Sequence, residues 1–129
     1  DAPWAWEYPK SASYGPFDVE GTFTFNNISD DNYYMLPTFT VTLSSSEDEF
    51  QLLNQTDDNK GCTFTGLSPK ETLTIDSSRY LITSSTGLLR VGNMTGILPR
   101  LGPGLNKLQV IGSVDDIKID YQNARKVSG

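Results

Sequence analysis

LPRLGPGLNKLQVIGSVDDIKIDY, residues 98–121, carries the clearest structural signal in the chain. Pro103 presets φ at about −65° and Gly104 can take a positive φ, a combination typical of a type II turn. Beyond this turn, apolar and polar side chains alternate through residues 107–110, which is the period-2 pattern of a half-buried strand. After a Gly-Ser break, residues 117–122 alternate in the same way. The two runs predict an antiparallel hairpin with one apolar face.

The same alternation recurs along the rest of the chain. It is clearest in four earlier runs, at residues 17–26, 39–44, 61–66 and 71–76. Turns rich in Asn, Asp, Ser, Pro and Gly separate these runs, and no window of eleven or more residues shows a sustained helical period. We therefore predict an all-β chain folded as a two-sheet antiparallel sandwich.

The run at residues 17–26 predicts the inward face of one strand. Phe17, Val19, Phe23 and Phe25 share the apolar side, and we expect all four to face the core. Gly21 interrupts this row, and an isolated glycine inside a strand pattern suggests a β-bulge.

Residues 1–16 differ in composition from the rest of the chain. They contain three prolines among the aromatic residues Trp4, Trp6, Tyr8 and Tyr14, which is too much proline for a helix and too aromatic for a disordered tail. We predict an extended Trp/Pro-rich entry segment at 1–16 and a single β-sandwich domain at 17–129. Because the sequence opens on Asp1 rather than Met, we expect a fragment of a longer protein.

Charge and hydropathy exclude two classes of partner. The chain has 129 residues, a formal charge of −6 and a pI near 4.4, and its basic residues are dispersed. Nonspecific nucleic-acid binding depends on clustered Lys and Arg, so we expect no nucleic-acid partner. No apolar run approaches the ~20 residues that span a bilayer, so we expect no membrane insertion.

The sequence offers little catalytic chemistry. Histidine is absent, which excludes Ser-His-Asp, Cys-His and histidine-ligated metal sites. The acidic residues fall in turns or at strand ends, where we expect solvation to keep their pKa values ordinary. They are Glu47, Asp48, Glu49, Asp57, Asp58, Glu71 and Asp76. The turns at 46–49 and 57–59 lack the ligand spacing of a calcium loop. We predict no enzyme, no catalytic or metal-binding residue and no cofactor.

Two further features have explanations that require no function, and we favour these. Cys62 is the single cysteine and lies in a strand-like context, so we expect a small buried hydrophobe rather than a nucleophile. Three Asn-x-Ser/Thr triplets, at Asn27, Asn54 and Asn93, would be glycosylation acceptors in a secreted eukaryotic chain. Such triplets also arise by chance in an Asn- and Thr-rich β protein.

Aromatic residues are the candidates for ligand contact. Trp4 and Trp6 share one face of an extended segment, and Tyr33 and Tyr34 lie in a loop. Such side chains can stack on sugar rings or insert into a partner's surface. The alternative for the two tryptophans is that they pack under the sandwich and tie the segment down.

Four phrases, taken in order, resemble the C-terminal domain of the distal tail (Dit) proteins of long-tailed, noncontractile bacteriophages. They are Phe25–Asn27 with Leu36–Val41, Phe64–Leu67 with Glu71–Asp76, Arg79–Ile82, and Leu98–Leu108. The resemblance covers roughly residues 17–125 and implies a galectin-like jelly-roll sandwich. The chain departs from the family pattern at Leu98, where an aromatic residue is common, and in its Trp-rich opening.

The resemblance implies a non-catalytic structural component of a phage tail tip or baseplate hub. Such a domain presents a surface to adsorption proteins or to the host envelope, and its partners are the tail tube and the receptor-binding or tail-tip proteins. The implied parent is a homo-hexamer of the virion, assembled in the cytoplasm of the bacterial host, whereas the isolated domain is expected to be monomeric. The alternative is a carbohydrate-binding module that recognises cell-wall or envelope glycans through exposed aromatic residues.

Overall fold

The computed structural model describes residues 4–6, 8–29, 34–45 and 48–126. These residues form strands and two short 3₁₀ turns but no α-helix, which confirms the all-β prediction. The strands are β1 (Trp4–Trp6), β2 (Lys10–Tyr14), β3 (Glu20–Asn27), β4 (Thr38–Leu43), β5 (Phe50–Asn54), β6 (Lys60–Phe64), β7 (Thr72–Asp76), β8 (Leu81–Ser84), β9 (Met94–Gly96), β10 (Gly104–Ile111), β11 (Val114–Tyr121) and β12 (Ala124–Lys126). For β1 and β12 only the backbone is described.

Two five-stranded sheets pack face to face. The first sheet has the order β3-β10-β5-β6-β9, and the second has the order β2-β11-β4-β7-β8. Every pairing within them is antiparallel. A separate two-stranded ribbon joins β1 to β12. This arrangement confirms the predicted two-sheet sandwich.

The predicted hairpin between β10 and β11 is wrong. β10 pairs with β3 and β5 in the first sheet, whereas β11 pairs with β2 and β4 in the second. Residues 112–113 therefore carry the chain across from one sheet to the other. Alternation shows which side chains of a strand face the core, but two strands in facing sheets produce the same pattern as two strands in one sheet.

Side chains from both sheets fill one core. Its fully buried members include Phe39, Leu52, Phe64, Leu108 and Ile119. At the β2 edge the ring of Tyr14 stacks on that of Phe23, with centroids 4.3 Å apart. Inward alternation is thus confirmed for the main strands.

Two details of the predicted strand at 17–26 are wrong. Val19 is 68% exposed and has a φ of 69°, because the backbone bends there and the strand begins only at Glu20. The pairing of β3 with β10 continues through Gly21 without a bulge. The ring of Phe17 instead occupies the space that a Cβ at position 21 would need, so close aromatic packing explains this glycine.

Candidate functional site

The connections at one end of the sandwich enclose a surface groove, and we call this the groove end. It is formed by the described parts of residues 28–37, 55–59, 77–80, 97–103 and 122–123. The groove has a volume of about 520 Å³ and is lined by Pro9, Ser29, Tyr34, Met35, Leu36, Pro37, Thr38, Ser78, Asp120, Tyr121 and Gln122. Pro9 and Gln122 flank the β1–β12 ribbon in sequence, so the groove lies where that ribbon leaves the second sheet.

Residues 98–103 belong to the groove end, and hydrogen bonds from buried polar groups hold them in place. Met35 and Leu101 exchange two backbone hydrogen bonds of 2.7 and 2.9 Å. The side-chain amide of Asn27 donates to the Leu101 carbonyl at 3.1 Å, and that of Asn54 donates to the Arg100 carbonyl at 2.7 Å. Backbone bonds from Met35, next to Tyr34, and side-chain bonds from β3 and β5 therefore hold the segment that carries Arg100.

Asn106 closes the turn that precedes β10. Its Nδ2 donates to the carbonyls of Gly102 and Gly104 at 2.9 and 3.0 Å, and its Oδ1 accepts from the Gly102 N–H at 2.9 Å. The same oxygen accepts from the Asn54 amide at 3.0 Å. Asn106 is 1% exposed, so these bonds satisfy a polar side chain in the core and order the turn.

Tyr34, Arg100 and Asp57 form a cluster beside the groove. The Arg100 Cζ lies 3.7 Å from the centroid of the Tyr34 ring, a cation–π contact. The Arg100 Nε donates to the Asp57 Oδ2 at 2.8 Å. This hydrogen bond lowers the pKa of Asp57, although partial burial of the carboxyl opposes the shift. Arg100 thus couples the aromatic wall of the groove to the 3₁₀ turn at Gln55–Asp57.

The groove combines aromatic and apolar walls with hydrogen-bonding groups. Tyr34 and Tyr121 supply aromatic rings, and Asp120 and Gln122 supply oxygen and amide groups. The ring of Tyr121 packs edge-on against Phe25, with centroids 4.8 Å apart, and this contact holds it in place. Such a surface suits a ligand that makes apolar contacts and several hydrogen bonds at once.

The four predicted contact residues have different outcomes. Tyr34 lines the groove and is 46% exposed. Trp4 and Trp6 lie on β1 in register with Lys126 and Ala124, but their side chains are outside the described part of the chain. Tyr33 also lies outside the described residues. The structure thus places one of the four candidates at a groove.

Arg100 and Asp57 were not among the predicted contacts. Arg100 is one residue from the buried Leu101, and its alignment with Tyr34 depends on a pairing between distant segments. No periodic signal in the sequence reports such a pairing.

The expectation that solvation keeps all the acidic residues at ordinary pKa values is wrong for Asp57 and Asp76, whose pKa values are lowered, and most clearly for Glu71. Its side chain is buried and takes two hydrogen bonds from Arg90, at 2.7 and 2.8 Å. The Ser68 N–H and the Ser84 hydroxyl also donate to it. Burial raises the pKa of this carboxyl, but the bonds from Arg90, Ser68 and Ser84 outweigh it and lower the pKa to about 2. Glu71 is therefore a charged structural residue at the opposite end of the sandwich.

Other reactive side chains have structural roles. Cys62 is 1% exposed and burial raises its pKa to about 12, which confirms the core interpretation. Asn27 and Asn54 are buried donors, so the fold conceals these two of the three Asn-x-Ser/Thr triplets. Among the described residues, no group of three or more Cys, Asp or Glu side chains could hold a metal ion. Helices with the length and apolar character of a membrane span are likewise missing from this part of the chain.

One comparison with known proteins produced a match. A family model described as a phage tail C-terminal domain matches residues 4–121, which is most of the chain. No curated protein and no solved structure matches the chain significantly.

Proposed function

Because the chain belongs to the phage tail C-terminal domain family, we propose that it is a non-catalytic structural domain of the tail tip or baseplate hub, as in Dit-type proteins. In this proposal it presents a surface to adsorption proteins or to the host envelope. Its parent is a homo-hexamer that contacts the tail tube and tail-tip proteins, and it is assembled in the host cytoplasm. The family match over residues 4–121 is the observation that carries the proposal.

The groove end supports a role in contact rather than in chemistry. Glu71 and Asp57, whose pKa values are both lowered, are each paired with an arginine. Arg100 contacts the Tyr34 ring, and paired backbone bonds join the adjacent Met35 to Leu101, so this wall of the groove is preorganised for a partner.

Electron microscopy of purified particles tests the proposal. The parent protein would carry a small tag at Asp58–Asn59, in the turn just before β6. This turn is exposed and distant in sequence from both ends of the chain. Gold-labelled antibody to the tag should mark the distal tip of the tail with six-fold multiplicity. Label along the tail tube, on the capsid or nowhere on the particle would contradict it.

A second candidate function is glycan recognition in the groove. The observation that favours it is Tyr34, an exposed aromatic ring beside the groove's carboxylate and amide groups. Sugar rings stack on aromatic faces, and their hydroxyls need hydrogen-bonding groups at the edges.

Titration with fragments of bacterial cell-wall polysaccharide, followed by calorimetry and tryptophan fluorescence, tests this candidate. Tyr34→Ala should weaken binding, and Trp4→Ala and Trp6→Ala report whether the ribbon contributes. Tyr80→Ala is the matched control, because Tyr80 is 54% exposed at the same end but does not line the groove. Absence of heat or fluorescence change with every fragment would exclude glycan binding and leave the structural role.

A further inference from the structure

β3 is an edge strand whose outer side has no partner among the described strands. It spans eight residues, Glu20–Asn27, at the margin of the first sheet, and it pairs with β10 alone. The other edge strands of the two sheets, β2, β8 and β9, are five, four and three residues long. β3 is thus the longest open edge in the part of the chain that the structure describes.

The pairing shows which backbone groups of β3 are already used. Successive residues of an antiparallel strand direct their N–H and C=O groups to opposite sides. The Lys107 N–H bonds to Thr56, which follows β5, whereas the Gly112 N–H bonds to the Val19 carbonyl on the β3 side. Even-numbered residues of β10 therefore bond to β3. The odd-numbered residues opposite them, in the stretch 21–27, use their backbone groups on β10.

The backbone groups of Thr22, Thr24 and Asn26 consequently point to the open edge. Their side chains are exposed on the outer face of the sheet. The groups recur every second residue, roughly every 6.8 Å, which is the repeat at which a neighbouring extended strand presents matching groups. This row is complementary to one kind of ligand, the backbone of another extended peptide segment.

β3 lacks the features with which proteins usually block an open edge. It contains no proline and no lysine, and its register with β10 is continuous from Glu20 to Asn27 without a bulge. Its one charged residue, Glu20, occupies the first position. β2, by contrast, is short and has Pro9 directly before it and Pro16 shortly after it. The edge of β3 is therefore open to strand addition.

The inner side of this edge is aromatic. The ring of Phe23 stacks on Tyr14 of β2, and the ring of Phe25 packs on Tyr121. Because β2 is the edge strand of the second sheet, the edges of the two sheets lie over one another here. Every second side chain of a strand added beside β3 would lie next to Phe23 or Phe25, at the margin of the core. The segment that fits therefore alternates apolar and polar residues.

We propose that β3 accepts an extended segment of a different tail protein as a sixth strand of the first sheet. The backbone of the segment pairs with Thr22, Thr24 and Asn26, and its apolar side chains cover Phe23 and Phe25. This inference rests on the proposed function, because it takes the partner from the tail. A second copy of the chain would pair β3 with β3 about a two-fold axis, whereas the proposed hexamer relates neighbouring copies by a six-fold axis.

Hydrogen–deuterium exchange in assembled particles tests the inference. Particles are exchanged, quenched and dissociated, and single amides are resolved by mass spectrometry with electron-transfer fragmentation. We expect the amides of Thr22 and Thr24 to exchange at least about tenfold more slowly in particles than in the free chain. The Phe23 amide, which bonds to β10, should be protected in both states. The Ile82 amide points to the open edge of β8 and should exchange at one rate in both.

Equal exchange rates of the Thr24 amide in the two states would overturn the inference. Strong protection of this amide in the free chain would also overturn it, because the edge would then be covered from within the chain.

Photo-cross-linking identifies the partner. A photoreactive amino acid at Asn26 of the parent protein should capture a peptide of another tail protein in which apolar and polar residues alternate. Thr24→Pro removes the outward N–H but no bond to β10, and it should reduce this capture by about tenfold or more. The binding uses the backbone of this residue, so the matched control Thr24→Val, which keeps the N–H, should retain most of the capture.

The outcomes separate this inference from the proposed function. Capture of a second copy of the chain, of lipid or of glycan would overturn the inference alone, and so would equal capture by the two variants at residue 24. If Thr24→Pro does not fold, the exchange experiment decides, because it uses the unmodified protein. Particles that lack the domain would overturn the proposed function as well.

Discussion

In several strands, the row of buried apolar side chains continues by one more inward position, which is occupied by a buried polar residue. Asn27 follows Phe23 and Phe25, Asn106 precedes Leu108 and Val110, and Glu71 precedes Leu73 and Ile75, each at a spacing of two residues. Extending the alternation by one step past the apolar residues would have predicted their burial. It would not have identified the partners of Asn27 and Glu71, because Leu101 and Arg90 come from other segments of the chain.

Glu71→Gln tests the buried ion pair. The substitution keeps the shape of the side chain but leaves Arg90 without a counter-charge in a buried position. We expect a loss of about 3–5 kcal/mol in the free energy of unfolding, measured by urea denaturation at neutral pH. Arg79→Ala is the control, since Arg79 is 77% exposed in its pair with Asp76 and should cost at most about 1 kcal/mol. Equal effects of the two substitutions would contradict the structural role of Glu71.

The pH dependence of stability provides a second test of the same carboxyl. The pKa of Glu71 is about 2 in the folded chain against an ordinary value of 4.5, so its ionisation stabilises the fold above about pH 4.5. This stabilisation should be lost as the pH falls toward 2. The stability difference between the wild type and Glu71→Gln should therefore shrink across that interval. Asp57 and Asp76, whose pKa values are also lowered, titrate in both proteins and cancel in the difference. A difference that stays constant down to pH 2 would refute the assignment.

At the scale of strands and turns, the sequence predicts which side of a strand is buried better than it predicts which strands pair with each other. The alternation of β4, β7, β10 and β11 correctly predicts which of their side chains are buried. It does not predict that β10 and β11 belong to different sheets, because that choice depends on which earlier strands occupy their edges. The structure confirms the positive φ predicted at Gly104, which is 83°.

Gly104→Val tests the turn that starts β10. Valine at this φ is strained whatever space surrounds it, and we expect a loss on the order of 1–3 kcal/mol in the free energy of unfolding. Gly92→Val is the control, because Gly92 has an ordinary φ and an added Cβ there would also meet no other atom. The control should change stability by no more than about 0.5 kcal/mol. A Gly104→Val protein as stable as the control would show that the turn tolerates another backbone conformation.

At the scale of the whole molecule, the sandwich has two ends of different character. The groove end contains Tyr34, Arg100 and the residues next to the β1–β12 ribbon. The opposite end carries the exposed apolar loop at residues 85–93, which Arg90 holds in place. Tyr34 could be predicted as a contact residue from its type and loop context. The groove and the surface at the opposite end could not be predicted, because each consists of connecting segments that come together only when both sheets have formed.

Cys62 provides a test of whether those two sheets separate only on global unfolding. Its thiol lies on β6 inside the common core, and burial raises its pKa to about 12, so both access and thiolate formation are suppressed. We expect labelling by iodoacetamide at mildly alkaline pH to be at least about a thousandfold slower in native buffer than in urea, because it requires the unfolded chain. The matched control is Cys62→Ala with Thr65→Cys, which moves the thiol three residues along the chain to an exposed position and should be labelled rapidly. If native Cys62 reacts as fast as the control, the first sheet opens locally and the two ends of the sandwich are not joined by one rigid core.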